Sequence, residues 1–135
     1  MKKISAILIT HNEEEKIEQA LKSLRSVSDE IIIVDSHSTD STIAICHQYT
    51  DRVIKKSWEG YRAQKQFATE QATHDWILSL DADEMLSAEL KREILEWKIE
   101  NVQAKYFSYI DPIYLTSYIG PEIIVEIVID YDWSL

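Results

Sequence analysis

Apolar residues fall in short unbroken blocks separated by polar punctuation, and the block lengths alternate between strand-like and helix-like. Residues 4–10 read Ile-Ser-Ala-Ile-Leu-Ile-Thr, short, β-rich and nearly all apolar, which predicts a strand buried on both faces. Asn12 then stands where a helix cap is expected, with Glu15 three residues on to complete a capping box. Ile17, Ala20, Leu21 and Leu24 follow at helical spacing and predict one buried helix face. Residues 30–35 (Glu-Ile-Ile-Ile-Val-Asp) predict a second buried strand, the polar loop 36–40 follows, and a short helix is expected over about 42–49. Residues 52–55 predict a brief third strand and residues 61–72 a helix with Tyr61, Gln64, Ala68 and Ala72 along one side. A fourth strand is expected over 76–81, then a helix capped by Ser87 and running to about residue 100, with Leu90, Ile94 and Trp97 inward.

Strands alternating with helices at this spacing predict an α/β fold with a mostly parallel sheet and flanking helices. In such sheets ligands bind at the carboxyl ends of the strands. Three polar segments, Thr10-His11-Asn12-Glu13, Asp35-Ser36-His37 and Asp81-Ala82-Asp83, each follow a strand and should meet at one rim. Residues 106–135 have a different character. They hold both prolines, no Lys or Arg, and the apolar run 123–129, from which at least one strand is expected.

Charge and composition narrow the chemistry. At 135 residues and 45% hydrophobic, the chain can form one domain with a real core. A formal net charge of −10 argues against a nucleic-acid binder, which needs clustered Lys and Arg, but not against a nucleotide whose diphosphate is bridged by a divalent cation. One cysteine, Cys46, points to a buried inert thiol and a reducing compartment. The apolar run after Met1-Lys2-Lys3 is short and lacks a cleavage site, and no stretch approaches about 18 apolar residues, so neither a leader nor a membrane span is expected.

Read singly, the rim residues are ambiguous. Asp81 and Asp83 at i and i+2 after a strand can hold Mg²⁺ or Mn²⁺, yet solvated strand-end acids are common. Asp35 can accept a hydrogen bond from a base or ribose, or can cap its own loop. Asp40 suits a helix cap. Thr10 and Glu13 can meet a nucleoside, while Glu13 equally suits a helix dipole, and His11 can stack on a base or fill a surface notch. Arg62 and Lys65 can neutralise a diphosphate or simply be solvated. A haloacid-dehalogenase type of phosphotransferase also uses Asp-x-Asp, but its nucleophile follows the first strand, where this chain has Thr10-His11-Asn12.

Taken in order, the segments resemble glycosyltransferase family 2, with the GT-A (Rossmann-like) fold. Thr10-His11-Asn12-Glu13 is similar to the family's Thr-Tyr-Asn-Glu, Asp35 with Ser38-Thr39-Asp40-Ser41-Thr42 to its Asp-x-x-Ser-x-Asp-x-Thr, and Asp81-Ala82-Asp83 to its Asp-x-Asp. Trp58-x-Gly60-Tyr61 with Gln64-Lys65 and Ala68 is similar to a bacterial subgroup that includes lipopolysaccharide core β-glucosyltransferases. The resemblance covers roughly residues 3–100. It implies a metal-dependent transferase moving a sugar, glucose in that subgroup, from a UDP-sugar to a glycan or lipid-linked acceptor. It further implies that Asp35 holds the base, that Thr10, His11 and Glu13 line the nucleoside pocket, that Asp81 contacts ribose or metal, and that Asp83 ligates Mn²⁺ or Mg²⁺. Lys65 is the candidate phosphate or sugar contact.

The division expected is a nucleotide-sugar-binding domain over 1–105 and an atypical segment over 106–135, with the C-terminal part of the fold shortened or missing. The family's general base lies beyond the Asp-x-Asp, and Glu122, Glu126, Asp130 and Asp132 stand in no familiar context, so no base is assigned. The alternative is a non-catalytic nucleotide- or metal-binding module, or a subunit completed by another chain. A cytoplasmic location is expected because nucleotide sugars are made there. Peripheral contact with the inner face of the membrane and self-association stay open.

Overall fold

The computed structural model describes residues 2–74, 76–99 and 124–126. The first strand, β1 (Ile4–Thr10), leads to helix α1 (Ile17–Arg25), then β2 (Glu30–Asp35), α2 (Thr42–Cys46), β3 (Val53–Lys55), α3 (Tyr61–Glu70), β4 (Trp76–Ser79), α4 (Ala88–Ile99) and β5 (Ile124–Glu126). All strand pairings are parallel, in the order β3-β2-β1-β4-β5. The α/β expectation holds. β5 falls within the apolar run of the C-terminal segment, while the rest of that segment, including Glu122, Asp130 and Asp132, lies outside the described residues.

Both faces of the sheet are covered, which explains the unbroken apolar strands. Alternate residues of β1, Ile4, Ala6 and Leu8, pack with Ile31 and Ile33 against Ile17, Ala20, Leu21 and Leu24 of α1, Cys46 of α2, and Ile94 and Trp97 of α4. Ile7 packs with Ile32, Val34 and Ile77 on the opposite face against Ala68 of α3. At roughly 25 cal/mol per Å² of apolar surface removed from water, these two clusters are the main source of stability. The chain winds outward from β1 through β2 and β3, crosses back under α3, and resumes at β4 on the other side of β1. The order therefore reverses between β1 and β4, and such a reversal opens a crevice at the strands' carboxyl ends.

Three local expectations need correction. Asn12 is no helix cap. It adopts a left-handed φ of 50°, and its N–H donates to Ser38 Oγ at 2.8 Å while its Oδ1 accepts the Thr39 N–H at 2.8 Å. Helix α1 begins only at Ile17, with no side-chain cap. Helices α2 and α3 are shorter than periodicity suggests, ending at Cys46 and Glu70. On α3, Gln64 and Ala68 point inward, but Tyr61 stays 65% exposed. The Ser87 cap is present, its Oγ accepting the Leu90 N–H at 3.1 Å.

The amino ends of the strands are held by polar ties, most of them partly buried. Glu30 Oε2 accepts from Ser5 Oγ at 2.6 Å and from the N–H and hydroxyl of Thr73, while its Oε1 meets Arg52 Nη1. Lys98, on α4, donates from Nζ to the Val27 carbonyl at 2.9 Å and to Asp29 Oδ2 at 2.8 Å. Burial alone would raise the Glu30 pKa, but these donors outweigh it and hold the carboxyl at about 2, well below its ordinary 4.5. A depressed folded-state pKa stabilises fully above the unfolded value and is lost as the pH falls through the folded one. We expect Glu30→Ala to cost about 2–4 kcal/mol in urea unfolding at neutral pH. The difference between variant and wild type should shrink as the pH drops from 4.5 toward 2. A pH-independent difference would show that packing, not the carboxylate, is responsible.

Candidate functional site

The carboxyl ends of β1, β2 and β4 form the rim that the sequence predicts. In the β1–β2 register Thr10 sits opposite Asp35, and in the β1–β4 register Ile7 sits opposite Ser79, so Asp81 leaves β4 about level with Ile9. Above these ends lies a cavity of about 610 Å³, lined by Ile9, Thr10, His11, Glu13, Ser36, Trp58, Tyr61, Asp81, Ala82 and Asp83. Its size suits a small organic ligand.

Asp35 is the anchor beneath this cavity rather than part of its lining. It is fully buried, and its Oδ1 accepts from Thr10 Oγ1 at 2.8 Å and Ser38 Oγ at 2.6 Å. Its Oδ2 accepts the Ser38 N–H at 2.8 Å. Of the two roles open in the sequence, the loop-fixing one is realised in these contacts. The loops after β1 and β2 are then stitched together. The Glu13 N–H donates to Thr42 Oγ1, the Ser41 N–H donates to Glu14 Oε2, and the Glu14 N–H donates to Asp40 Oδ2. Asp40 Oδ1 also accepts the Thr42 N–H at the start of α2, as a cap would.

His11 is exposed at the cavity, and its Nδ1 lies 2.7 Å from the Ser36 carbonyl. A carbonyl only accepts, so Nδ1 carries the proton and Nε2 is left to accept, with Asn12 Nδ2 at 3.4 Å. This tie turns the ring toward Ser36. Lys65 reaches the rim from α3 and pairs with Asp81, Nζ to Oδ1 3.5 Å, although it does not itself line the cavity. Trp58 and Tyr61 meet edge to face with ring centroids 4.9 Å apart, 52% and 65% exposed. Gly60, with φ 105°, turns the chain between Trp58 and α3.

The acidic side of the cavity is short of positive charge. Asp81, Asp83 and Glu84 each offer a carboxylate oxygen, all within 4.8 Å of one another. Burial, a hydrogen bond to Asp81 and the charges of Asp81 and Asp83 push the Glu84 carboxyl up to about 8. Burial and the Asp83 charge also raise Glu13 above its ordinary 4.5. A set of crowded oxygen donors fits a hard divalent cation, which would relieve the repulsion. Glu84 joins Asp81 and Asp83 here although the sequence singled out only those two. Trp58 and Tyr61 likewise became visible as cavity lining only through tertiary placement, whereas Ser36 belongs to a segment that the sequence already set at the rim.

Comparison with known proteins converges on one family. Residues 5–114 match the model described as Glycosyl transferase family 2. A protein of Rickettsia felis named as a glycosyltransferase is 48% identical over 109 residues, covering 81% of this chain and 38% of that protein. The lipopolysaccharide core biosynthesis glycosyltransferase LpsC of Rhizobium meliloti is 38% identical over 111 residues, covering 71% of this chain and 41% of that protein. Among solved structures, TarS of S. aureus superposes with a TM-score of 0.57 at 25% identity, covering 70% of this chain and 32% of the other. Glucosyl-3-phosphoglycerate synthase from Mycobacterium tuberculosis, crystallised with Mn²⁺ and UDP-glucose, gives a TM-score of 0.55 at 25% identity, covering 62% and 34%. The chain thus spans less than half the length of these relatives.

The crowding of carboxylates has a measurable consequence. Asp83→Asn removes one like charge from beside Glu13 and Glu84. In EDTA at low ionic strength we expect its thermal midpoint to rise by about 2–4 °C over wild type. A fall would mean that the triplet is not under electrostatic strain.

Proposed function

The chain belongs to glycosyl transferase family 2 and carries its GT-A fold, and on that footing we propose that it forms the donor site of a metal-dependent transferase. The donor is a UDP-sugar, with glucose as the sugar, and the acceptor is a glycan or lipid-linked saccharide. The observation that carries this reading is one cavity lined both by Thr10, His11 and Glu13 and by Asp81 and Asp83. A nucleoside diphosphate needs both kinds of wall.

Asp81 and Asp83, with Glu84 beside them, would hold Mn²⁺ or Mg²⁺. A divalent cation at that place supplies Lewis-acid stabilisation of the charge that grows on the departing diphosphate. Lys65, already paired with Asp81, adds a second positive group on the diphosphate side. Thr10, His11 and Glu13 face the nucleoside. Asp35 contributes from below, by fixing Thr10 and the 36–38 loop through its two oxygens. Trp58 and Tyr61 add aromatic surface to the wall of the same cavity. Inverting transfer also needs a carboxylate base for the acceptor hydroxyl, and the family resemblance puts it beyond Asp83. LpsC supports an acceptor in the lipopolysaccharide core, and the Mycobacterium synthase, held with UDP-glucose and Mn²⁺, supports the donor. Such a donor implies work in the cytoplasm. Among the described residues no helix is long and apolar enough to cross a membrane.

Calorimetry with UDP, UDP-glucose and GDP, with and without Mn²⁺, tests the reading. UDP should bind at least tenfold more tightly with Mn²⁺ than without, GDP more weakly than UDP, and Asp83→Ala should abolish the metal's effect. UDP binding indifferent to both metal and Asp83 would sink the assignment. Metal-dependent binding without sugar transfer to any saccharide acceptor would instead make the chain a donor-binding module completed by other residues.

A further inference from the structure

Among the described residues Gln64 is the one fully buried carboxamide, and its hydrogen bonding is lopsided. Its Nε2 donates to Ser36 Oγ at 3.0 Å, while its Oε1 has no partner among the described residues. An unmet buried acceptor costs about 1–3 kcal/mol, a penalty that Met or Leu of similar volume would not incur. Packing therefore does not account for an amide here. What the amide adds is the hold on Ser36.

Ser36 is gripped from three directions. Its N–H donates to the Thr10 carbonyl at 2.9 Å, its own carbonyl accepts from His11 Nδ1 at 2.7 Å, and its hydroxyl oxygen accepts from Gln64. With the oxygen receiving a proton from Gln64, the hydroxyl's own proton is left to donate, and Ser36 lines the cavity. Ser36 follows β2, whereas the acid triplet follows β4, on the far side of β1. Strands lie about 4.8 Å apart, so the two groups are separated by roughly 10 Å across the rim. That span is comparable to the reach of a nucleotide from diphosphate to base.

We propose that Gln64 is a positioning residue of the nucleotide site, acting through Ser36, whose hydroxyl it orients to donate to an acceptor oxygen on the nucleoside end of the ligand. This rests on the donor-site reading above. Calorimetry with UMP and UDP, alongside urea unfolding, tests it on wild type, Ser36→Ala, Gln64→Met and the double variant. Each single change should weaken both UMP and UDP about five- to tenfold, the worth of one hydrogen bond. The double variant should lose no more than either single, because the two residues act as one unit. The urea midpoint of Gln64→Met should stay level or rise, since the unmet acceptor is gone.

A lower midpoint with unchanged affinity would make Gln64 a packing residue and overturn the proposal. Losses confined to UDP would move the contact to the diphosphate and overturn it also. If Gln64→Met does not fold, Ser36→Ala decides, and unchanged UMP affinity is then fatal. Wild-type chain that binds no UDP overturns the donor-site reading and this inference together. Asp83-dependent UDP binding that ignores Ser36 and Gln64 overturns this inference alone.

Discussion

The buried carboxylate of Asp35 is the constraint on which the upper half of the molecule depends. An acid placed at a fully buried strand end must be met by donors, because burying it unpartnered costs several kcal/mol. Thr10 supplies one donor from the neighbouring strand and Ser38 supplies two from the loop that follows. Meeting that demand fixes the β1–β2 register at its end and folds residues 36–38 back over the strand. His37 takes a left-handed φ of 55° within this turn. The same buried acid reaches Cys46, whose thiol is pushed up to about 12 by burial and by the Asp35 charge, which leaves it inert as a nucleophile.

The two ends of the sheet are built on opposite electrostatic principles. At the amino end each acid meets its complement, Glu30 with Arg52 and Asp29 with Lys98. At the carboxyl end acids crowd acids, and Lys65 is the cation paired with Asp81 among them. A fold optimised only for stability would not leave carboxyls at this spacing. The difference follows a general pattern in which binding sites hold unfavourable charge arrangements that the rest of the scaffold must tolerate. Here the scaffold does so with a two-sided core and with ties at the opposite rim.

What the sequence made legible depended on whether the deciding contacts were local. Strands β1 and β2 were readable to the residue because burial on both faces forces an unbroken apolar run. The inward face of α1 was equally readable from its spacing. Asn12 was misread because its competing partners, Ser38 and Thr39, lie more than 25 positions away. A capping motif cannot reveal that another loop will claim the same side chain. Tyr61 shared the periodicity of Gln64 and Ala68, yet it occupies the first turn of α3 just after Gly60 and lines the cavity instead of the core. Asp81 and Asp83 could be placed from order alone. Glu84 could not, since its relevance comes from its carboxylate lying within reach of those of Asp81 and Asp83.

The sheet topology also explains why a chain spanning under half of its relatives' length can still assemble this cavity. Every described lining residue belongs to segments 9–13, 36, 58–61 or 81–83, at or just after the carboxyl ends of the first four strands. The weak point of that arrangement is β4, which carries the acid triplet and would be a sheet edge if nothing paired beyond it. An edge strand of four residues, held on one side only, frays readily and invites pairing with other chains. Strand β5 removes that exposure, pairing in parallel with Ile77, Leu78 and Ser79. The C-terminal segment thus bears on the site mechanically. By turning β4 into an interior strand, it fixes the point from which Asp81 and Asp83 leave the sheet, and with it the distance between the acidic wall and the Thr10–Ser36 wall that a nucleotide has to bridge.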